Sequence, residues 1–87
     1  MTWKIKIGSK AAKSLKALDR PAKQRIEQFI DQLALADNPR QTGKALKGSL
    51  KGLWRYRIGD YRLICQIRDD ELIILVLEIG HRKAIYR

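Results

Sequence analysis

Apolar and polar positions alternate in two runs flanking Gly59-Asp60, from Leu53 to Ile67 (LWRYRIGDYRLICQI). Alternation of period two marks strands, and a two-residue connection with glycine first suits the II′ turn that right-twisted hairpins favour. Folding the segment on that turn sets Ile58 against Tyr61, Tyr56 against Leu63 and Trp54 against Cys65, a large apolar face. On the reverse face Arg57 lands opposite Arg62, with Arg55 one pleat away. Like charges directly across a ladder destabilise it by a few tenths to about 1 kcal/mol. Two readings fit. Either the guanidiniums splay into water beside Asp60, or an anion such as a phosphate occupies the space between them.

The rest of the chain supplies partners for this hairpin. Thr2 to Ile7 alternates too, with Trp3, Ile5 and Ile7 on one side and Lys4 and Lys6 on the other. That predicts a half-buried strand whose lysines guard an edge. Gly8-Ser9 breaks the pattern, Ser9 serving as N-cap. Ala12, Leu15 and Leu18 then form the stripe of a short helix backed by Lys10, Lys13 and Lys16. Asp19-Arg20-Pro21 stops it and starts another, with Asp19 placed to accept from the first free N–H groups. Ala22, Ile26, Phe29, Ile30 and Leu33 recur at helical spacing, and Pro39 ends the helix near Asp37-Asn38. The short connection makes the two an antiparallel helical hairpin.

Gln41 to Gly52 reads as a loop, with at most one helical turn at Ala45-Leu46. It carries Lys44, Lys47 and Lys51 and no acid. It is either a solvated connector or an arm that contacts phosphates. After the hairpin, Asp69-Asp70 marks a second two-residue turn, and Glu71 to Ile79 (ELIILVLEI) is apolar on both faces, as a central strand is. That turn sets Leu72 against Ile67, Ile74 against Cys65, Val76 against Leu63 and Leu77 against Arg62. It also places Ile64 opposite Leu75, flanked by Ile73 and Leu77, and brings His81, Arg82 and Tyr86 out beside Arg57 and Arg62.

The expected fold is a single α+β domain over residues 1–87, ordered β-α-α-β-β-β. A helical hairpin packs on a mainly antiparallel four-stranded sheet. Its core is Trp3, Ile5, Leu15, Ile26, Phe29, Ile30, Leu33, Trp54, Tyr56, Leu63, Cys65, Ile74 and Val76, and the pairing of the first strand stays open. Charge adds direction. Lysine and arginine number 19 against nine acids, a net charge of +10. A field of that sign attracts nucleic acid, an anionic membrane or an acidic protein. One cysteine and one histidine allow no internal disulfide and make a metal site improbable. No run is long enough to span a membrane and MTWKIKIG has no apolar leader core, so a cytoplasmic location without membrane contact is expected.

In its order of elements, in ALKGSLKGLWRYRIGDYRLICQI (45–67) and in the ending LEIGHRKAIYR (77–87), the chain resembles the RelE/ParE toxins of type II toxin–antitoxin pairs. The resemblance implies a toxin silenced by a cognate antitoxin whose segment wraps it, and no cofactor. The RelE branch cleaves messenger RNA in the ribosomal A site, with ribosome and mRNA as partners. The ParE branch poisons DNA gyrase without a nuclease centre. Carried over by position, the RelE centre comprises Arg55 and Arg57, Arg62, Arg82 and Tyr86. Guanidiniums stabilise the charge that builds on phosphate oxygens during 2′-OH attack, and a tyrosine ring stacks on a splayed base. The expected products carry a 2′,3′-cyclic phosphate and a 5′-hydroxyl.

One departure matters. The RelE pattern has lysines where this chain has Arg55 and Arg57, and arginine stays charged. Either electrostatics and positioning suffice, or another group moves the proton. His81 is the side chain with a suitable ordinary pKa; it also reads simply as a surface residue at a strand end. Arg62 and Arg82, as exposed strand-end arginines, contribute little stability. Lys44, Lys47 and Lys51 are the expected RNA-binding residues. Ile64, Ile73, Leu75 and Leu77 form an apolar strip that calls for a cover. An antitoxin tail, the first helix or a second copy of the chain fits. A plain basic nucleic-acid-binding domain is the third functional class, and it explains the charge but not the clustering at one rim.

Overall fold

The central hairpin forms with the register its alternation requires. In the computed structural model, which describes residues 2–81, Trp54 pairs with Cys65, Tyr56 with Leu63, Arg57 with Arg62 and Ile58 with Tyr61. Gly59 takes the positive φ of 57° that the turn demands. A β-carbon there would also press on the Arg25 guanidinium, 3.0 Å away. Arg82 and Tyr86 lie outside the described residues.

The elements are β1 (Lys4–Ile7), α1 (Ser9–Ala17), α2 (Arg20–Ala34), β2 (Lys44–Ala45), a 3₁₀ turn (Gly48–Leu50), β3 (Trp54–Ile58), β4 (Tyr61–Arg68) and β5 (Ile73–His81). The sheet runs β1-β5-β4-β3-β2. The fifth strand is the two-residue β2, lying on the far edge of β3, so the helical turn expected at Ala45-Leu46 falls three residues later. β1 runs parallel to β5, Ile5 beside Ile74, and its lysines lie on the other edge.

Both helices cover one face. Ala11 and Leu15 of α1 and Ile26, Ile30 and Leu33 of α2 meet Tyr56, Ile58, Leu63, Cys65, Ile74, Val76 and Ile79 in one core. Each fully buried Ile, Leu or Val there contributes about 1.5–3 kcal/mol. Ala11 rather than Ala12 faces inward, one turn before Leu15, and Gly8, not Ser9, is the N-cap of α1. At α2 the cap is Asp19, which makes no side-chain cap bond. The helix ends at Ala34, ahead of the expected Asp37-Asn38, and Leu35 is left 70% exposed. The chain then turns through buried Pro39, whose carbonyl accepts from the Tyr56 hydroxyl. Phe29 packs on the Tyr56 ring at 5.3 Å.

β5 departs from its expected register twice. The connection from β4 is four residues, Asp69 to Leu72, not two, with Leu72 at a φ of 53°. Ile67 therefore meets Ile74, and Cys65 meets Val76. Next, a bulge between Ile64 and Cys65 inserts Leu77, so that Ile64 pairs with Glu78, Leu63 with Ile79, Arg62 with Gly80 and Tyr61 with His81. Two extra turn residues preserve which face each side chain takes; one bulged residue reverses it.

Candidate nucleic-acid interface

Residues directly opposed in a ladder share a face, so the registers define the side of the sheet away from the core. Lys44 stands beside Arg55, Ile64 and Glu78, and Arg57 beside Arg62 and Gly80. Further along, Lys6 stands beside Leu75 and Gln66, and Lys4 beside Ile73 and Arg68. No helix of the described residues lies on this face, since both belong to the core opposite. The result is a cationic surface around an apolar centre. Glu78, a carboxylate on this face, is bound to Lys10 of α1 at 2.9 Å.

Beside β2 the face forms a cavity of about 260 Å³ lined by Gly43, Lys44, Arg55 and Arg57. That is somewhat below the range of about 300–1,000 Å³ typical of small-molecule pockets, and its three cationic side chains suit a phosphodiester group. Its wall is held by a clasp. The Trp54 indole N–H donates to the Thr42 carbonyl at 2.8 Å, while β2 pairs Ala45 with Trp54 and Lys44 with Arg55. Gly43 passes so close to β3 that a β-carbon would lie 2.5 Å from the Arg55 carbonyl oxygen. Sequence reasoning missed Gly43 and treated Trp54 as core alone. The available signal was that a half-buried indole N–H needs an acceptor.

Arg55, Arg57 and Arg62 are brought together as expected, but they differ in exposure. Arg57 is exposed, Arg55 half-buried and Arg62 only 3% exposed, so Arg62 is not the surface residue expected of a strand end. His81 is not beside them. The bulge puts it opposite Tyr61, edge-on to that ring at 5.6 Å, on the helix-covered side. Lys47 and Lys51 bracket the 3₁₀ turn, exposed, and do not line the cavity.

The expected strip is altered as well. Ile64 faces Glu78 rather than Leu75, and Leu75 faces Gln66. Ile64 is buried within the chain itself; Ile73, Leu75 and Leu77 are half-buried. Two groups of reactive type are structural. Burial pushes the Cys65 thiol up to about 12. It also holds the Tyr56 hydroxyl above its ordinary range. At the other end of the sheet, Arg40 grips Asp69 through two bonds of 2.8 Å, which holds the Asp69 carboxyl below its usual range. Among the described residues no helix is long and apolar enough to cross a membrane.

Residues 5–86 match the family described as "ParE toxin of type II toxin-antitoxin system, parDE". Toxin RelE of Mycobacterium tuberculosis is 32% identical over 85 residues, which span 98% of this chain and 87% of that protein. Among solved structures, the archaeal RelE–RelB complex from Pyrococcus horikoshii OT3 contains a chain that superposes with a TM-score of 0.75 at 30% identity, covering 94% of this chain and 97% of that one. The isolated E. coli RelE toxin gives 0.75 at 17% identity, over 91% and 83%. At that identity the likeness is one of fold.

Proposed function

The chain belongs to the ParE toxin family of type II toxin–antitoxin systems and is a toxin of RelE type, and from that premise we propose that it is a ribosome-dependent mRNA endonuclease cleaving in the A site. The observation that carries this reading is the opposition of Arg57 and Arg62 across one ladder, with Arg55 and the cavity alongside. Opposed guanidiniums are stabilised by an anion between them, and most by one whose charge is growing. Attack of a ribose 2′-OH on the adjacent phosphate creates that anion. Loss of one such donor costs about 100- to 1,000-fold in rate. Arg82 and Tyr86 complete the proposed centre, one as a further cation and one as a ring for a splayed base. His81, on the far side of the sheet, carries no step.

The proposed partner is an antitoxin, and the RelE–RelB complexes among the related structures support it. Ile73 and Leu75 lie between Lys4 and Lys6 on one side and Arg68 and Gln66 on the other. A segment with apolar anchors and net negative charge would cover both kinds of surface at once. Leu75→Lys should then lower antitoxin affinity by about 2 kcal/mol, read by calorimetry, with the free toxin still folded.

A gyrase poison is the second reading, favoured by the family's ParE description and by arginines in place of lysines. Adding the purified protein to a translation extract and to a supercoiling reaction separates the two. Arrest of translation with gyrase unaffected is expected. Gyrase cleavage complexes with translation intact would reverse the assignment.

A further inference from the structure

The arginines of the centre cannot take a proton from the attacking hydroxyl, because guanidinium has no accessible neutral form in proteins. On the endonuclease reading given above, on which this inference rests, we propose that Lys44 is the residue that takes it. Lys44 stands directly across the ladder from Arg55 and lines the same cavity as Arg55 and Arg57. Among the described residues lining that cavity, it is the one that exists in both an acidic and a basic form. Its place is fixed rather than incidental, since the Trp54–Thr42 clasp and the β2 pairing hold its backbone against β3. Arg55 faces it directly and Arg57 from one pleat further on; among the described residues no carboxylate lines the cavity.

Four other groups of proton-accepting type among the described residues are placed or bound elsewhere. His81 is on the helix-covered side of the sheet beside Tyr61, and Cys65 is buried in the core. The Tyr56 hydroxyl donates to Pro39, and Glu78 is bound to Lys10. In the step we assign, the Lys44 amine accepts the 2′-OH proton as the 2′-oxygen bonds to phosphorus. The bond from phosphorus to the 5′-oxygen breaks, and that oxygen leaves with the electron pair. Water supplies its proton, and the Lys44 ammonium returns the transferred one to solvent. Arg55 and Arg57 hold the non-bridging oxygens meanwhile. The products are a 2′,3′-cyclic phosphate and a 5′-hydroxyl.

The test uses full-length toxin on mRNA-programmed ribosomes under single turnover, with Lys44→Arg, Lys44→Ala and wild type, each also measured for ribosome binding by co-sedimentation. Proton transfer by a positioned side chain contributes about 100- to 10,000-fold. Lys44→Arg, which keeps the charge, should therefore lose at least about 100-fold in rate, like Lys44→Ala, while binding as wild type does. Small primary amines should restore part of the Lys44→Ala rate. A Lys44→Arg variant that cleaves at the wild-type rate overturns the assignment, leaving Lys44 a charge contact. A wild type that binds ribosomes without cutting mRNA overturns the endonuclease reading instead.

Discussion

A β-carbon at Gly43 would meet both the Arg55 carbonyl oxygen and Trp54 Nε1 at 2.5 Å, on a backbone whose φ is 82°. Gly43→Ala should therefore destabilise the fold by about 1–3 kcal/mol, measured by urea denaturation, and open the cavity by forcing β2 off β3. The arginines divide differently. Arg57 is exposed, so Arg57→Ala should keep stability within about 0.5 kcal/mol while cutting cleavage by about 100-fold or more. Arg62 is 3% exposed, and its replacement should cost both activity and stability. Alternation assigned both to the same face correctly. Depth within that face depends on what surrounds each side chain, which alternation does not encode. Cys65 gives a further check at this scale. With its thiol fully buried and its pKa pushed up to about 12, a thiol reagent should modify it only as fast as the native structure opens.

At the scale of elements, the β3–β4 hairpin was fully legible because glycine fixes its turn. The β4–β5 connection was not, since Asp69-Asp70 offers no glycine and Leu72 takes the positive φ instead. The bulge left a trace that went unread. Strict alternation from Ile74 and Val76 would drive Glu78 into the core; inserting Leu77 brings Ile79 inward in its place. The same half-step moved His81 to the other face. The longer turn is tied down by the Arg40–Asp69 pair, which joins residues 29 apart in sequence. Its hydrogen bonds from Arg40 lower the Asp69 pKa. A carboxyl depressed in the folded state stabilises above its unfolded value and loses that contribution as pH falls through its folded one. An NMR titration of Asp69 should have its midpoint below the ordinary aspartate value, and Arg40→Ala should raise it.

For the whole molecule, the sequence showed the net charge of +10 but not its layout. The parallel pairing of β1 with β5 brings Lys4 and Lys6 onto the same face as Arg55, Arg57 and Arg62, from a distant part of the chain. Long-range strand order of this kind has no local signal. It splits the loop lysines too, with Lys44 at the cavity and Lys47 and Lys51 beyond it. Replacing Lys47 and Lys51 by alanine should weaken ribosome binding and reduce the slope of log affinity against log salt by roughly 0.7–0.9 for each phosphate left without its lysine, with little change in cleavage once bound. The proposed function requires that the arginine-lined face cuts RNA. Mapping mRNA ends on ribosomes incubated with the toxin tests it most directly: cuts within the A-site codon bearing 5′-hydroxyl ends, absent with Arg57→Ala, are the predicted result, and intact mRNA on toxin-bound ribosomes, or cuts that persist unchanged in Arg57→Ala, would contradict it.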